Sequence, residues 1–139
     1  MVEGCQVLVS NRYLSIVDDE PDITILFRDA LKSLPGITIF TFTDPHLALE
    51  HFRANISKYF LVISDLRMPV LNGMDLLKKM RDLSSCVRTI LMTAFAADDK
   101  LFKEFAKSEI INAFLQKPIR LGDLRDEVNN QLHKYELKK

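Results

Sequence analysis

Cysteine is scarce in this chain, and neither sign of charge is in surplus. Cys5 and Cys86 are the only two cysteines in 139 residues, too few for a disulfide framework, which fits a reducing cytoplasm. Nineteen basic residues balance nineteen acidic ones. No net field therefore favours nucleic acid or an anionic membrane surface, and neither is expected as a partner. No apolar run approaches the roughly 20 residues that span a bilayer. The opening residues 1–9 carry an acid, lack a basic start and hold too short an apolar core for a signal peptide. Repeats, low-complexity tracts and internal linkers are missing too. What is present is ordinary for one globular domain: 47% apolar and 27% charged residues, at a length that can close a real core.

The segment from Phe60 to Pro69 organises the rest. Five mostly apolar residues, 60–64, run into Asp65, and the chain then turns through Met68-Pro69 towards Asn72-Gly73. An apolar run of that length between turn signals is a strand buried on both faces, as in parallel sheets. An acid just past it sits at the carboxyl end of the strand, where open α/β sheets keep their ligand crevice.

Four further strand-like runs surround it. Residues 13–17 form the first confident strand and end in Asp18-Asp19-Glu20, with Pro21 suited to a first helical turn. Ile23, Leu26, Phe27, Ala30, Leu31 and Leu34 recur at helical spacing. Residues 37–42 alternate as a second strand, and Thr43-Asp44-Pro45 caps a helix bearing Leu47, Ala48, Phe52 and Ile56. A third helix carries Met74, Leu77, Met80 and Leu83. Residues 88–92 are a fourth strand ending in Thr93-Ala94, and Asp98-Asp99 opens a helix with Leu101, Phe102, Phe105 and Ala106. Residues 113–115 form a short fifth strand before Gln116-Lys117-Pro118, and a final helix shows Leu121, Leu124, Val128, Leu132 and Tyr135. Five strands alternating with five helices predict an α/β fold: one doubly wound parallel sheet with right-handed crossovers. In the order 2-1-3-4-5 the ends carrying Asp18 and Asp19, Asp65, Thr93 and Lys117 become neighbours, and the crevice opens between strands one and three.

Three carboxylates brought together repel: at about 5 Å and an effective dielectric near 20, each pair costs roughly 3 kcal/mol. Such a cluster raises a pKa or recruits a cation. Lys117 supplies one positive charge against three negative ones, so a hard divalent ion with oxygen ligands is the natural complement, and Mg²⁺ suits one or two carboxylates plus a phosphate oxygen. A hydroxyl at Thr93 and the ammonium of Lys117 suit phosphoryl oxygens. Metal, cation, hydroxyl and carboxylate nucleophile are together the inventory of phosphoryl transfer. Taken singly, each residue has a plainer reading: the first acids as helix-start charges, Asp65 as a solvated loop acid, Lys117 as a surface lysine, Thr93 as a lone hydroxyl. His46, His51 and His133 have no metal-ligand spacing and read as surface or half-buried side chains.

Asp18-Asp19 after strand one, Asp65 followed by Met68-Pro69, Thr93-Ala94 and Lys117-Pro118 resemble, in this order and strand context, the receiver (response-regulator) domain of two-component signalling, a flavodoxin-like fold. The resemblance covers residues 13 to 135 and implies the following roles. Asp65 accepts a phosphoryl group from a sensor histidine kinase or phosphotransfer protein. Asp19 binds Mg²⁺ directly, Asp18 mainly through water, and the backbone carbonyl of Arg67 completes the protein's share. Thr93 and Lys117 contact phosphoryl oxygens, Phe114 is the switch aromatic, and the Lys117–Pro118 bond is cis. Arg67 and Phe95 occupy the positions that tune phosphoryl lifetime. The output face is the fourth helix, fifth strand and fifth helix, with Lys103, Glu104, Lys107 and Arg125 among its exposed positions.

Residues 1–12 are expected to be a leader or edge segment, with residues 7–9 as the possible extra strand, and 136–139 a tail. The chain is then a stand-alone cytoplasmic receiver, or one cut from something longer, that catalyses only its own phosphoryl transfer and dephosphorylation. Two alternatives are a receiver-fold docking module independent of phosphorylation and a metal-dependent aspartyl phosphatase. The phosphatase usually has a second acid two residues past its nucleophile, where this chain has Arg67. A flavin module would need a Ser/Thr/Gly-rich phosphate loop where this chain has Asp18-Asp19-Glu20-Pro21.

Overall fold

The computed structural model describes residues 11–94 and 100–137 and, within that range, not the side chains at 101, 102 and 105. Strands β1 (Arg12–Val17), β2 (Ile37–Phe42), β3 (Tyr59–Asp65), β4 (Arg88–Thr93) and β5 (Ala113–Gln116) alternate with helices α1 (Pro21–Leu31), α2 (Pro45–Ala54), α3 (Gly73–Leu83), α4 (Lys100–Lys107) and α5 (Leu121–Leu137). The sheet is parallel in the order β2-β1-β3-β4-β5, as the alternation of elements predicts. The expected strand at 7–9, the Asp98-Asp99 helix start and Phe95 lie outside the described residues, as do the side chains of Leu101, Phe102 and Phe105.

Local chemistry sets the element ends. Pro21 occupies the first turn of α1, and Asp44 caps α2 by accepting the His46 N–H at 2.8 Å. Asn72 caps α3 by accepting the Asp75 N–H at 2.9 Å. Gly36 reverses the chain into β2 with φ 74°, a backbone region open to glycine at no steric cost. Beyond α2, Ile56 belongs to a separate 3-10 turn over Ile56–Lys58 and not to the helix that its spacing suggests.

The centre of the sheet is buried on both faces: every residue of β3 and β4 is buried. One apolar layer joins Leu14, Ile16, Leu61, Ile63, Ile90 and Met92 to Phe27 and Leu31 of α1 and to Leu124, Val128 and Tyr135 of α5. The other joins Val17, Val62 and Leu91 to α2 through Ala48, Leu49 and Phe52, and to α3 through Leu76, Leu77 and Met80. Four helix positions depart from the apolar pattern, among them Leu83, 36% exposed, and the exposed Ala106. Leu26 and Leu47 are 47% and 54% exposed. On α1 the inward place is taken by Thr24, buried at 2% exposure, whose hydroxyl donates to the Pro21 carbonyl at 2.7 Å and so loses no hydrogen bond on burial.

Register aligns the strand ends. Val17 pairs with Ser64, Asp65 with Met92 and Thr93 with Gln116. The residue after each strand then extends the ladder by one rung: Asp18 N–H donates to Phe42 O at 3.1 Å, Leu66 N–H to Met92 O at 2.9 Å and Lys117 N–H to Thr93 O at 2.8 Å. Those rungs set the chemistry-bearing residues along one edge.

Candidate functional site

Asp18, Asp19, Asp65, Thr93 and Lys117 converge at that edge. Carboxylate oxygens of the three aspartates lie within 4.8 Å of one another. Asp18 is fully buried and Asp65 nearly so, whereas Asp19 is exposed. Lys117 Nζ lies 3.0 Å from Asp65 Oδ1 and 3.3 Å from Asp18 Oδ2, bridging sites 52 and 99 residues away in the chain. The Glu20 N–H donates to Asp18 Oδ1 at 3.0 Å, so both oxygens of Asp18 are engaged. A cavity of about 260 Å³ opens over Asp65 and is lined also by Asp19, Glu20, Arg67, Thr93, Ala94 and Lys117. The lining lacks Asp18, which sits behind it.

The electrostatics follow from one cation facing three anions. Burial pushes the Asp65 carboxyl above its ordinary value, against the Lys117 hydrogen bond and charge, and the charge of Asp19 adds to the rise. Burial likewise raises Asp18, against the Glu20 N–H, with the Asp65 charge adding to it. Burial opposes the charge on Lys117, but its hydrogen bond to Asp65 and the two carboxylate charges outweigh that and raise its pKa. An acid paired with a lysine ordinarily falls in pKa; that both aspartates rise says burial outweighs the lysine, with the neighbouring acid's charge adding to the rise. Three converging carboxylates, with an open cavity in front of the exposed one, suit a hard oxygen-ligated cation. The donor set fits Mg²⁺.

The remaining expected positions fall as follows. Thr93 is 1% exposed at the end of β4 and lines the cavity. Arg67 lines the same cavity with an exposed side chain. The Lys117–Pro118 bond is cis. Phe114 is half-buried in β5 and packs on the layer under α2 and α3. Lys103, Glu104, Lys107 and Arg125 are exposed, but Arg125 reaches α1, donating from Nε to the Ala30 carbonyl at 3.2 Å. Two features of the site went unread in the sequence. Glu20, assigned only a helix-start charge, lines the cavity and supplies the N–H on Asp18. Gly73, read as a turn residue, packs its Cα against the Asp65 carbonyl: a Cβ there would stand 2.1 Å from that oxygen.

Fold and site define a class: doubly wound α/β proteins that keep acids and a lysine, rather than a phosphate-binding loop, at the switch point of the sheet. The chain belongs to the response regulator receiver domain family, whose model matches residues 14–129. It is similar to sporulation initiation phosphotransferase F of Bacillus subtilis, with 28% identity over 122 residues covering 88% of this chain and 94% of that protein. It is also 30% identical over 115 residues to the sensor histidine kinase TmoS of Ectopseudomonas mendocina, covering 83% of this chain and 11% of the kinase. Against the two-component response regulator ARR10 of Arabidopsis thaliana it is 31% identical, covering 96% of this chain and 23% of that protein. Among solved structures, a response regulator receiver domain protein from Clostridium thermocellum superposes with TM-score 0.81 at 26% identity, covering 92% of this chain and 99% of the other. The chain thus spans about a third or less of the first four relatives it matches. Receiver domains are signalling modules, generally non-enzymatic, that bind Mg²⁺ at an aspartate cluster and interact with histidine kinases or phosphotransfer proteins. Among the described residues no helix is long and apolar enough to cross a membrane.

Proposed function

We propose that this receiver accepts a phosphoryl group on Asp65 from the phosphohistidine of a histidine kinase or phosphotransfer protein, with Mg²⁺ held at Asp18, Asp19, Asp65 and the Arg67 carbonyl. The observation that carries the reading is Asp65 itself: a nearly buried carboxylate at the floor of an open cavity, flanked by two acids and held by one lysine. When bound, Mg²⁺ supplies charge neutralisation among the acids and on the incoming phosphoryl oxygens. The chain's own residues do the rest. Lys117 holds Asp65 Oδ1 in place and can pass its ammonium to a phosphoryl oxygen as charge arrives. The second carboxylate oxygen attacks phosphorus in line, the P–N bond to the donor imidazole breaks, and the imidazole keeps the electron pair. Thr93 donates its hydroxyl to the transferred group. Burial of Asp65 keeps bulk water off the acyl phosphate once it has formed.

The group adds about −1.5 to −2 charges. Thr93 moving towards it vacates space beside β5, into which Phe114 swings. The output surface is then α4, β5 and α5, displayed to a downstream protein by a shift between two packings. The reading is tested by incubation with acetyl phosphate and Mg²⁺: mass measurement should find one base-labile phosphoryl group, missing in Asp65→Asn and slowed in Asp19→Ala. Undiminished labelling of Asp65→Asn would remove Asp65 from the chemistry. An unlabelled wild type would leave a docking module, and turnover of a generic phosphate ester would indicate a phosphatase.

A further inference from the structure

Ser64 and Gly73 meet at one atom, the main-chain oxygen of Asp65. Ser64 is fully buried at the penultimate position of β3, and its hydroxyl donates to the Asp65 carbonyl at 2.9 Å. Gly73, the first residue of α3, closes on the same group from the other side of the loop. A Cβ on Gly73 would stand 2.1 Å from Asp65 O, 2.9 Å from Asp65 C and 2.9 Å from Ser64 Oγ. The loop from Leu66 to Asn72 is thus folded back on the residue that starts it.

The consequence appears peptide by peptide. The unit joining Asp65 to Leu66 is held at both ends: its carbonyl by Ser64 Oγ and its N–H by Met92 O at 2.9 Å. The next unit is held at its carbonyl, where Leu66 O accepts the Gly73 N–H at 2.8 Å. Leu66 and Met68 are both buried, at 5% and 9% exposure, on either side of the exposed Arg67. The rotation of the Asp65 backbone aims its carboxylate. The two held units lead directly into Arg67, whose carbonyl belongs to the next peptide.

We infer that Ser64 is a positioning residue for the cation site: its hydroxyl, with Gly73 as backstop, sets the rotation of the Asp65–Arg67 backbone and so aims both an acid and a carbonyl at the ion. The inference rests on the proposed Mg²⁺ site at Asp65. Ser64 touches neither the ion nor the phosphoryl group. A plainer role is available to it, because a buried serine hydroxyl must find some acceptor and the adjoining carbonyl is at hand. The two roles differ in what they move. A self-satisfying hydroxyl affects stability alone, whereas a positioning hydroxyl affects ligand affinity in the folded protein. Partners behind metal ligands are typically worth about 10–100-fold in affinity.

Calorimetric titration of Mg²⁺ into the full chain separates them, using Ser64→Ala, Ser64→Thr and Ser64→Val, each checked by circular dichroism. Thr and Val have nearly the same shape and differ by the hydroxyl. The expected result is Mg²⁺ affinity about 10-fold weaker in Ser64→Ala, and clearly tighter binding by Ser64→Thr than by Ser64→Val. Equal affinities for Thr and Val, or an Ala variant that binds like wild type, would overturn the inference. Loss of native dichroism in Ser64→Ala would overturn it too, as the mark of a purely structural role. Wild type that binds no Mg²⁺, or Asp19→Ala that binds undiminished, would instead defeat the proposed cation site, an outcome distinguishable from the failure of Ser64 alone.

Discussion

Val70 sits in the loop that carries Arg67 away from Asp65, and its backbone is in the left-handed region at φ 73°. For residues other than glycine that region costs about 1–2 kcal/mol, because Cβ crowds the following carbonyl, and a β-branched side chain belongs at the upper end. The usual compensation is missing. Val70 is 91% exposed, so its side chain buries almost nothing and removing it forfeits little. Leu71 N–H donates to the Pro69 carbonyl at 2.8 Å across Val70, closing a strained γ-turn on it. Asparagine takes positive φ more readily than a β-branched residue, so Val70→Asn is expected to stabilise by about 1 kcal/mol. For 139 residues that corresponds to a Tm higher by about 3–4 °C. Val70→Gly removes the strain outright but adds about 0.5–1 kcal/mol of chain entropy lost on folding, so its gain is smaller. Val70→Ala keeps a Cβ at the same φ and should melt close to wild type. Thermal unfolding followed by circular dichroism measures all three. An Asn variant melting at or below wild type, or an Ala variant gaining as much as Asn, would refute the assignment of strain to this φ.

Four further outcomes follow from the geometry. His51 Nδ1 lies 2.7 Å from the Tyr59 hydroxyl, which also bonds the buried Ser15 Oγ, and burial pulls the histidine below its ordinary 6.5. Above 6.5 it is neutral in both states; below, the unfolded chain takes the proton first, so stability should fall from pH 7 to pH 5 more steeply in wild type than in His51→Gln. Parallel slopes would show that the histidine is not responsible. Because burial raises Asp65, its charge opposes folding near neutral pH, and Asp65→Asn without Mg²⁺ should melt higher than wild type; a lower Tm would mean that the Lys117 pair outweighs the crowding. Arg67, at the cavity wall, and Phe95 stand at the sequence positions proposed to tune phosphoryl lifetime, so the double alanine variant should lose its phosphoryl group faster, and an unchanged rate excludes both. Phosphorylation, or a phosphoryl mimic, should shift the NMR resonances of Phe114 and α4; shifts confined to the crevice would place the output face elsewhere.

Much of the site was legible from residue order because strand ends are. A strand buried on both faces reads as a near-continuous apolar run, so the first charged residue after each run marks where the chain leaves the sheet. Asp18, Asp65 and Lys117 are read that way, and alternation with helices determines that all of those ends point to one edge. The cap Asp44 and the first-turn Pro21 were equally readable, since each acts within one helical turn. Distances across the chain could not be read. That Lys117 Nζ reaches Asp18 as well as Asp65 depends on the register of β1, β3 and β5. So does the chain from Ser15 through Tyr59 to His51, whose members stand on β1, β3 and α2. A hydroxyl in an apolar run carries no local sign of its partner. The wide apolar stripe of α1 could not say that Leu26 faces outward while Thr24 faces in, because which edge of a stripe meets the sheet is decided by how the helix is rolled onto its neighbours. Glycine at 73 announced a turn, but only the packed loop showed that the turn presses on the carbonyl of Asp65. Composition and period determine the elements and which end of each is polar; contacts between residues far apart in sequence are set by register and helix packing, which only the closed tertiary structure decides.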